Sequence, residues 1–150
     1  MQTFLPYPTY SQSAHVLDRQ RLGKQRSESL QILRTLVGLT SGWSNHPAVR
    51  MWRGYESALA TYTWIVCAEW RNRGYKDTVK DKVLDLTEEF NIRSGPLYPP
   101  WLTDSPLCST HRAALLYKLP EHYSKFGWTE PPALNYYWPP EQKESPSCTS

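Results

Sequence analysis

The chain has 150 residues, 39% of them hydrophobic and 21% charged, with a formal net charge of +3. That length suits one domain with one real core, and so mild a charge does not by itself announce a nucleic-acid partner. No segment has the apolar length of a bilayer span and no basic-then-apolar leader opens the chain, so a cytosolic protein is expected.

Residues 1 to 10, MQTFLPYPTY, are expected to form an extended arm, because Pro6 and Pro8 remove backbone donors and bias their predecessors away from helix. A first helical region is predicted from Ser11 to Val37, with a kink or break near Gly23. Its inward side carries Leu22, Ser29, Leu30, Leu33, Leu36 and Val37, and Arg21, Lys24, Gln25 and Glu28 recur at helical spacing on another side. After the loop TSGWSN, a long helix is predicted from Pro47 in its first turn to Gly74 just past its end. There Trp52, Tyr55, Leu59, Tyr62, Val66 and Trp70 step by three or four residues, the period of a helix that packs one stripe into a core.

A third helix is expected from Asp77 as N-cap to Phe90, with Val79, Val83, Leu86 and Phe90 inward. Residues 91 to 108 read as a long loop packed by its own rings, Tyr98 and Trp101. A short helix, STHRAALLYKL, is stopped by Pro120, and PEHYSKFGW adds a turn before the chain becomes Pro-rich. The class is therefore all-α: three main helices plus short ones, with Pro- and aromatic-rich loops, forming one domain over residues 1–140 and a disordered polar tail over 141–150.

Seven Trp, ten Tyr and thirteen Pro are high for this length. Rings that bury much area per side chain explain part of the surplus, and rings that stack on bases would explain the rest. Charge is segregated as well. Arg19, Arg21, Lys24, Arg26 and Arg34 face only Asp18 and Glu28 between residues 15 and 34, whereas residues 83 to 110 hold Arg93 against four acids. One basic side for phosphates and one solvated far side would give this pattern. Cys67, Cys108 and Cys148 lack paired metal spacing, so no metal is expected, and Cys67 reads as a reduced core thiol.

The run TWIVCAEWRNRGYKDT (63–78) resembles a stretch of the phage pyrimidine-dimer DNA glycosylases, the endonuclease V type. Upstream, DRQRLGKQRSE is similar to that family's first helix with its Arg and Glu pair, and GWSNHPAVRMW to the His-containing start of its central helix. Downstream, Arg112 and HYSKFGW resemble its later Arg and its C-terminal aromatic cluster. The resemblance implies a monomeric all-α enzyme of the cytoplasm, nucleoid-associated when bound, that acts on damaged double-stranded DNA without cofactor. It cleaves the N-glycosylic bond and then the strand at the abasic site, through an imine made by the N-terminal amine.

Carried onto this chain, the resemblance makes the α-amine of Met1 the nucleophile and Glu28 the catalytic acid. DNA contacts fall to Arg21, Lys24, Arg26, Arg112 and Lys125, the damage-recognition cluster to Tyr123, Phe126 and Trp128, and the lining of a base pocket to Gln25, His46 and Trp52. A terminal amine ordinarily titrates near about 7.7–8.0 and keeps a usable neutral fraction at physiological pH, whereas a lysine near about 10.4 would need strong desolvation. Two features depart from the family. The bulky Gln2 is expected to leave Met1 in place, where the family exposes a small residue. The family's adjacent Arg–Glu pair is here Arg26, Ser27, Glu28, and one extra residue turns a helical side chain by about 100°. Two other functions stay open: a non-catalytic DNA-binding protein on the same scaffold, and an N-glycosidase acting on a free modified nucleoside or nucleotide.

Overall fold

The computed structural model describes residues 1–92 and 95–140, and the tail expected to be disordered lies outside them. Every regular element among these residues is helical: α1 (Tyr10–Val16), α2 (Arg19–Leu36), α3 (Pro47–Arg50), α4 (Glu56–Asn72), α5 (Val79–Glu89), α6 (Ser105–Lys118) and α7 (Pro120–Tyr123), with 3₁₀ turns at Pro100–Thr103 and Ser124–Phe126. The long helices α2 and α4 pack on each other, and α1 and α5 pack on α4. Their shared core is ring-rich. Tyr10, Trp52, Tyr62 and Trp101 lie in mutual edge-on and stacked contact, and Leu22, Ile32, Leu33, Leu59 and Val66 fill around them.

The break in the first helical region falls at Leu17 and Asp18, not at Gly23. Asp18 has extended backbone angles and its carboxylate accepts the Arg21 amide, so it caps α2. The buried Tyr123 hydroxyl locks the corner, accepting the Asp18 amide at 3.0 Å and donating to the same carboxylate. Gly23 instead sits inside α2 because no side chain fits there. An added Cβ would stand 2.9 Å from the end of the Trp70 ring. That ring is held on three sides: by Tyr75 at 4.3 Å, by the Arg26 guanidinium at 4.4 Å, and through its N–H to the Lys76 carbonyl. Gly23→Ala is therefore expected to lower stability by about 1 kcal/mol, overpacking outweighing the helix-propensity gain. Urea denaturation measures this, and a rise in midpoint would mean that Trp70 yields freely.

The helix predicted from Pro47 to Gly74 is two helices, separated by a turn at residues 51–55. Gly54 turns the chain at φ +86°, and the Met51 carbonyl is taken by the Trp101 indole at 3.0 Å. The aromatic stripe still points inward: Trp52, Tyr55, Leu59, Tyr62 and Val66 are buried and Trp70 is half-buried. The N-cap of α5 is Thr78, one residue later than expected, and it makes no side-chain cap bond; the Asp77 carboxylate before it accepts the amides of Val79 and Lys80, and Val79, Val83 and Leu86 are buried. Phe90 is not inward. It follows the last turn of α5, just before Asn91 reverses the chain at φ +54°, and its ring is exposed. The long loop is shorter than expected, because α6 begins at Ser105 with Pro106 in its first turn.

Candidate active site

The arm at residues 1–7 is buried and threaded through the helices, and most of its backbone polar groups meet side chains. Gln25 of α2 accepts the Phe4 amide at 2.9 Å through Oε1 and donates Nε2 to the Gln2 carbonyl at 2.7 Å. Tyr62 of α4 donates to the Phe4 carbonyl, His111 of α6 accepts the Leu5 amide through Nδ1, and Arg112 donates to the Pro6 carbonyl. The Trp52 indole donates to Thr3 Oγ1, and Ser13 of α1 bonds both backbone groups of Tyr7. An extended segment has no internal backbone ladder, so burial on this scale requires partners from elsewhere, and here four helices and the turn that carries Trp52 supply them.

The arm ends in a cleft of about 390 Å³, lined by Met1, Gln2 and Phe4 from the arm, by Gln20, Arg21, Lys24, Gln25 and Glu28 from α2, and by Lys118 and Tyr136. This size lies within the usual range for small-molecule sites, about 300–1,000 Å³. Helical spacing collects the α2 group, since Gln20, Lys24 and Glu28 are four residues apart and Arg21 and Gln25 form the adjoining row. Glu28 faces inward with its side chain 19% exposed, accepting the Gln2 amide at 3.3 Å and standing 3.5 Å from Lys24 Nζ. A carboxylate thus lies one residue from the chain end, with Arg21, Lys24 and Lys118 around the same opening. Such a group can exchange protons with an amine or with a sugar held between them, and the cations can hold flanking phosphates.

The residues singled out from sequence divide between this cleft and other places. Met1, Glu28, Arg21, Lys24 and Gln25 come together in it. Gln25 is buried beneath the arm, not on an open polar face as its spacing suggested. His46 stands at the edge, capping α3 by accepting the Ala48 amide, between the rings of Trp43 and Trp138. Burial lowers its pKa, and the nearby terminal ammonium lowers it further, partly offset by Glu28. Trp52 is fully buried in the core and is not among the cleft's lining residues.

Arg26 projects from the opposite side of α2, where it pairs with Asp77 and covers Trp70. Two residues of separation turn it about 200° from Glu28, so Lys24 takes the place beside the carboxylate. Arg112 is held by Glu130 at 2.7 Å and by the Pro6 carbonyl, as a brace for the arm. Tyr123 and Trp128 stack at 5.6 Å with Phe126 against them, and Trp128 donates to the Tyr7 hydroxyl. This cluster docks α7 on the α1–α2 corner, and Lys125 beside it is exposed.

Gln2, Phe4, Gln20, Lys118 and Tyr136 line the cleft without having been picked out from sequence as site residues. Gln20 was detectable as one further step of the row Lys24–Glu28. Tyr136 belongs to the run NYYWPP, whose rings continue from Phe4 and His111 through Tyr136 to Trp138 and His46 along the cleft's margin. Adjacent rings before two prolines were a signal, masked by the irregular structure of that segment. Gln2 and Lys118 are brought in by tertiary structure alone.

Cys67 and Cys108 are buried, and burial pushes the Cys67 thiol up to about 12, so neither is a poised nucleophile. Among the described residues no three His, Cys, Asp or Glu side chains cluster as a metal site would require, and no helix is long and apolar enough to cross a membrane.

Fold and cleft together define an all-helical protein in which one cleft gathers a chain end, a carboxylate and a rim of cations. The family profile for pyrimidine dimer DNA glycosylases matches residues 1–83, more than half of the chain, and the protein belongs to that family of enzymes, whose substrate is damaged DNA. No curated protein and no solved structure matches the chain. The matched span contains the arm, α1 to α4 and the start of α5, and so every cleft residue except Lys118 and Tyr136.

Proposed function

We infer that the protein excises a damaged pyrimidine from duplex DNA and then cuts the strand at the abasic site, with the α-amine of Met1 as nucleophile and Glu28 as acid and base. The observation that carries this reading is the shared cleft of Met1 and Glu28, in which the Glu28 carboxylate accepts the amide of the very next residue, Gln2. Family membership supports the glycosylase half of the reading.

The neutral amine adds to the sugar C1′, the C1′–N1 electron pair leaves with the base, and the base takes up the proton that the amine sheds. Protonation of the ring oxygen opens the sugar to an imine. Glu28 then removes a C2′ proton, and the 3′ phosphate departs by β-elimination. No oxidant or reductant is needed at any step. Arg21, Lys24 and Lys118 hold the flanking phosphates, and the extruded nucleotide occupies the cleft, because such chemistry requires the base outside the stack.

Borohydride trapping on undamaged, dimer-containing and abasic duplexes, followed by mass mapping of the linked residue, tests the reading. A crosslink at Met1 on both damaged duplexes is expected. A crosslink on a lysine such as Lys24 would move the nucleophile. None on any duplex, with DNA binding intact, would favour a binding protein, and base release from monomeric nucleosides would assign the cleft to an N-glycosidase.

A further inference from the structure

Gln2 is 5% exposed and lines the cleft beside Met1 and Glu28. Its side-chain orientation is fixed, because Oε1 accepts the Thr3 amide at 2.9 Å. Both of its backbone groups are also engaged, the amide with Glu28 and the carbonyl with Gln25. Its Nε2, by contrast, is buried and has no hydrogen-bond partner. Buried amide donors are nearly always paired, and one left idle is costly unless something outside the protein completes it. Among the described residues, the two other buried side-chain atoms without partners, Arg26 Nε and His111 Nε2, belong to residues that do not line the cleft.

Resting on the amine-nucleophile reading above, we propose that Gln2 Nε2 donates a hydrogen bond to the 2-oxo group of the pyrimidine being excised and stabilises it as a leaving group. The donor lies one residue from the amine that attacks C1′. Among the acceptors of the base, O2 is the one nearest that carbon, since it sits on C2, next to the glycosylic N1. When the C1′–N1 bond breaks, its electron pair moves to N1 and is shared with O2. A fixed donor at O2 therefore gains strength as the bond breaks, the condition under which a hydrogen bond accelerates a reaction. Because O2 is present in every pyrimidine, saturated at C5–C6 or not, Gln2 would serve the excision of pyrimidines as a class, leaving discrimination among lesions to other residues.

Once the glycosylic bond is cut, the Gln2 donor has no further part, which separates this role from a structural one. Gln2→Met and Gln2→Leu remove the donor together with the oxygen that takes the Thr3 amide, whereas Gln2→Glu removes the donor and keeps an acceptor for that amide; all three keep a bulky second residue, so Met1 is retained, as an intact mass verifies. Each is compared with the wild type below its melting temperature, in single-turnover scission of the glycosylic bond in a dimer-containing duplex, read as the appearance of the abasic sugar or its imine, and in cleavage of a preformed abasic duplex. Glycosylic scission is expected to slow on the order of 100-fold, with abasic cleavage by Gln2→Glu within about threefold of wild type. Equal slowing on both duplexes would overturn the proposal and make Gln2 a positioning residue for the arm. Unchanged rates on both would overturn it by showing the donor unused. A wild type that fails to trap on the abasic duplex overturns the amine reading itself, and this inference with it.

Discussion

Glu28→Gln is expected to lower strand cleavage of a dimer-containing duplex on the order of 10³-fold, the range lost when a general acid or base is removed. Affinity for the same duplex should be unchanged or higher. The substituted amide keeps an oxygen where Oε2 accepts the Gln2 amide, so the arm stays in place. It also removes a negative charge from an opening rimmed by Arg21, Lys24 and Lys118, which favours the DNA backbone. Extending the chain by two residues before Met1 should abolish cleavage as fully, by turning the amine into an amide. Gel-shift and single-turnover assays on one preparation separate the two properties. Cleavage that survives both changes would place the chemistry on another group.

The second large effect is on stability in acid, through His111. This residue is fully buried, and its Nδ1 accepts the Leu5 amide at 2.8 Å, so the ring must be neutral with its proton on Nε2. Burial drives its pKa down to about 3, against about 6.5 for a histidine in an unfolded chain. Between these values the unfolded state binds a proton that the folded state refuses. The contribution is complete above about pH 6.5 and is lost at up to about 1.4 kcal/mol per pH unit as pH falls toward 3. The loss comes to about 3 kcal/mol at pH 4.5 and about 5 kcal/mol near pH 3, a large share of total stabilities of about 5–15 kcal/mol. Urea titrations at pH 7, 5.5 and 4.5 should show the fall. His111→Asn, which offers an amide oxygen to Leu5 and does not titrate, should flatten it, and an equally steep slope in that variant would assign the acid sensitivity to carboxylates.

Periodicity made the helices legible, because a stripe such as Trp52 to Trp70 can be buried along its length by little else. It also gathered Arg21, Lys24 and Glu28 on one side of α2, where the cleft lies. The helix breaks were not legible, since their causes are distant in sequence. Tyr123 fixes the corner at Asp18 from 105 residues away, and Trp101 takes the Met51 carbonyl from 50 residues away. Arg26 illustrates the opposite difficulty. A cation near an acid in sequence suggests a shared site, yet two residues along a helix separate faces, and Arg26 serves the packing of α2 on α4 and α5. For Arg112, Tyr123 and Trp128, the composition that suits DNA contact equally suits the tying of loops to a core, and these side chains are occupied in that way.

Chain ends are ordinarily the first part of a domain to fray. The arm reverses this, since Thr3, Phe4 and Leu5 give their amides to side chains within the fold and lie among its most buried residues. Releasing residues 2 to 5 means opening the core, so the chain is anchored up to the residue next to the terminal amine. A flexible terminus would have to be ordered anew at each encounter with DNA, and that entropic cost would fall within the reaction barrier. In the proposed mechanism that cost is met once, during folding, and the amine would meet each sugar at a high effective molarity.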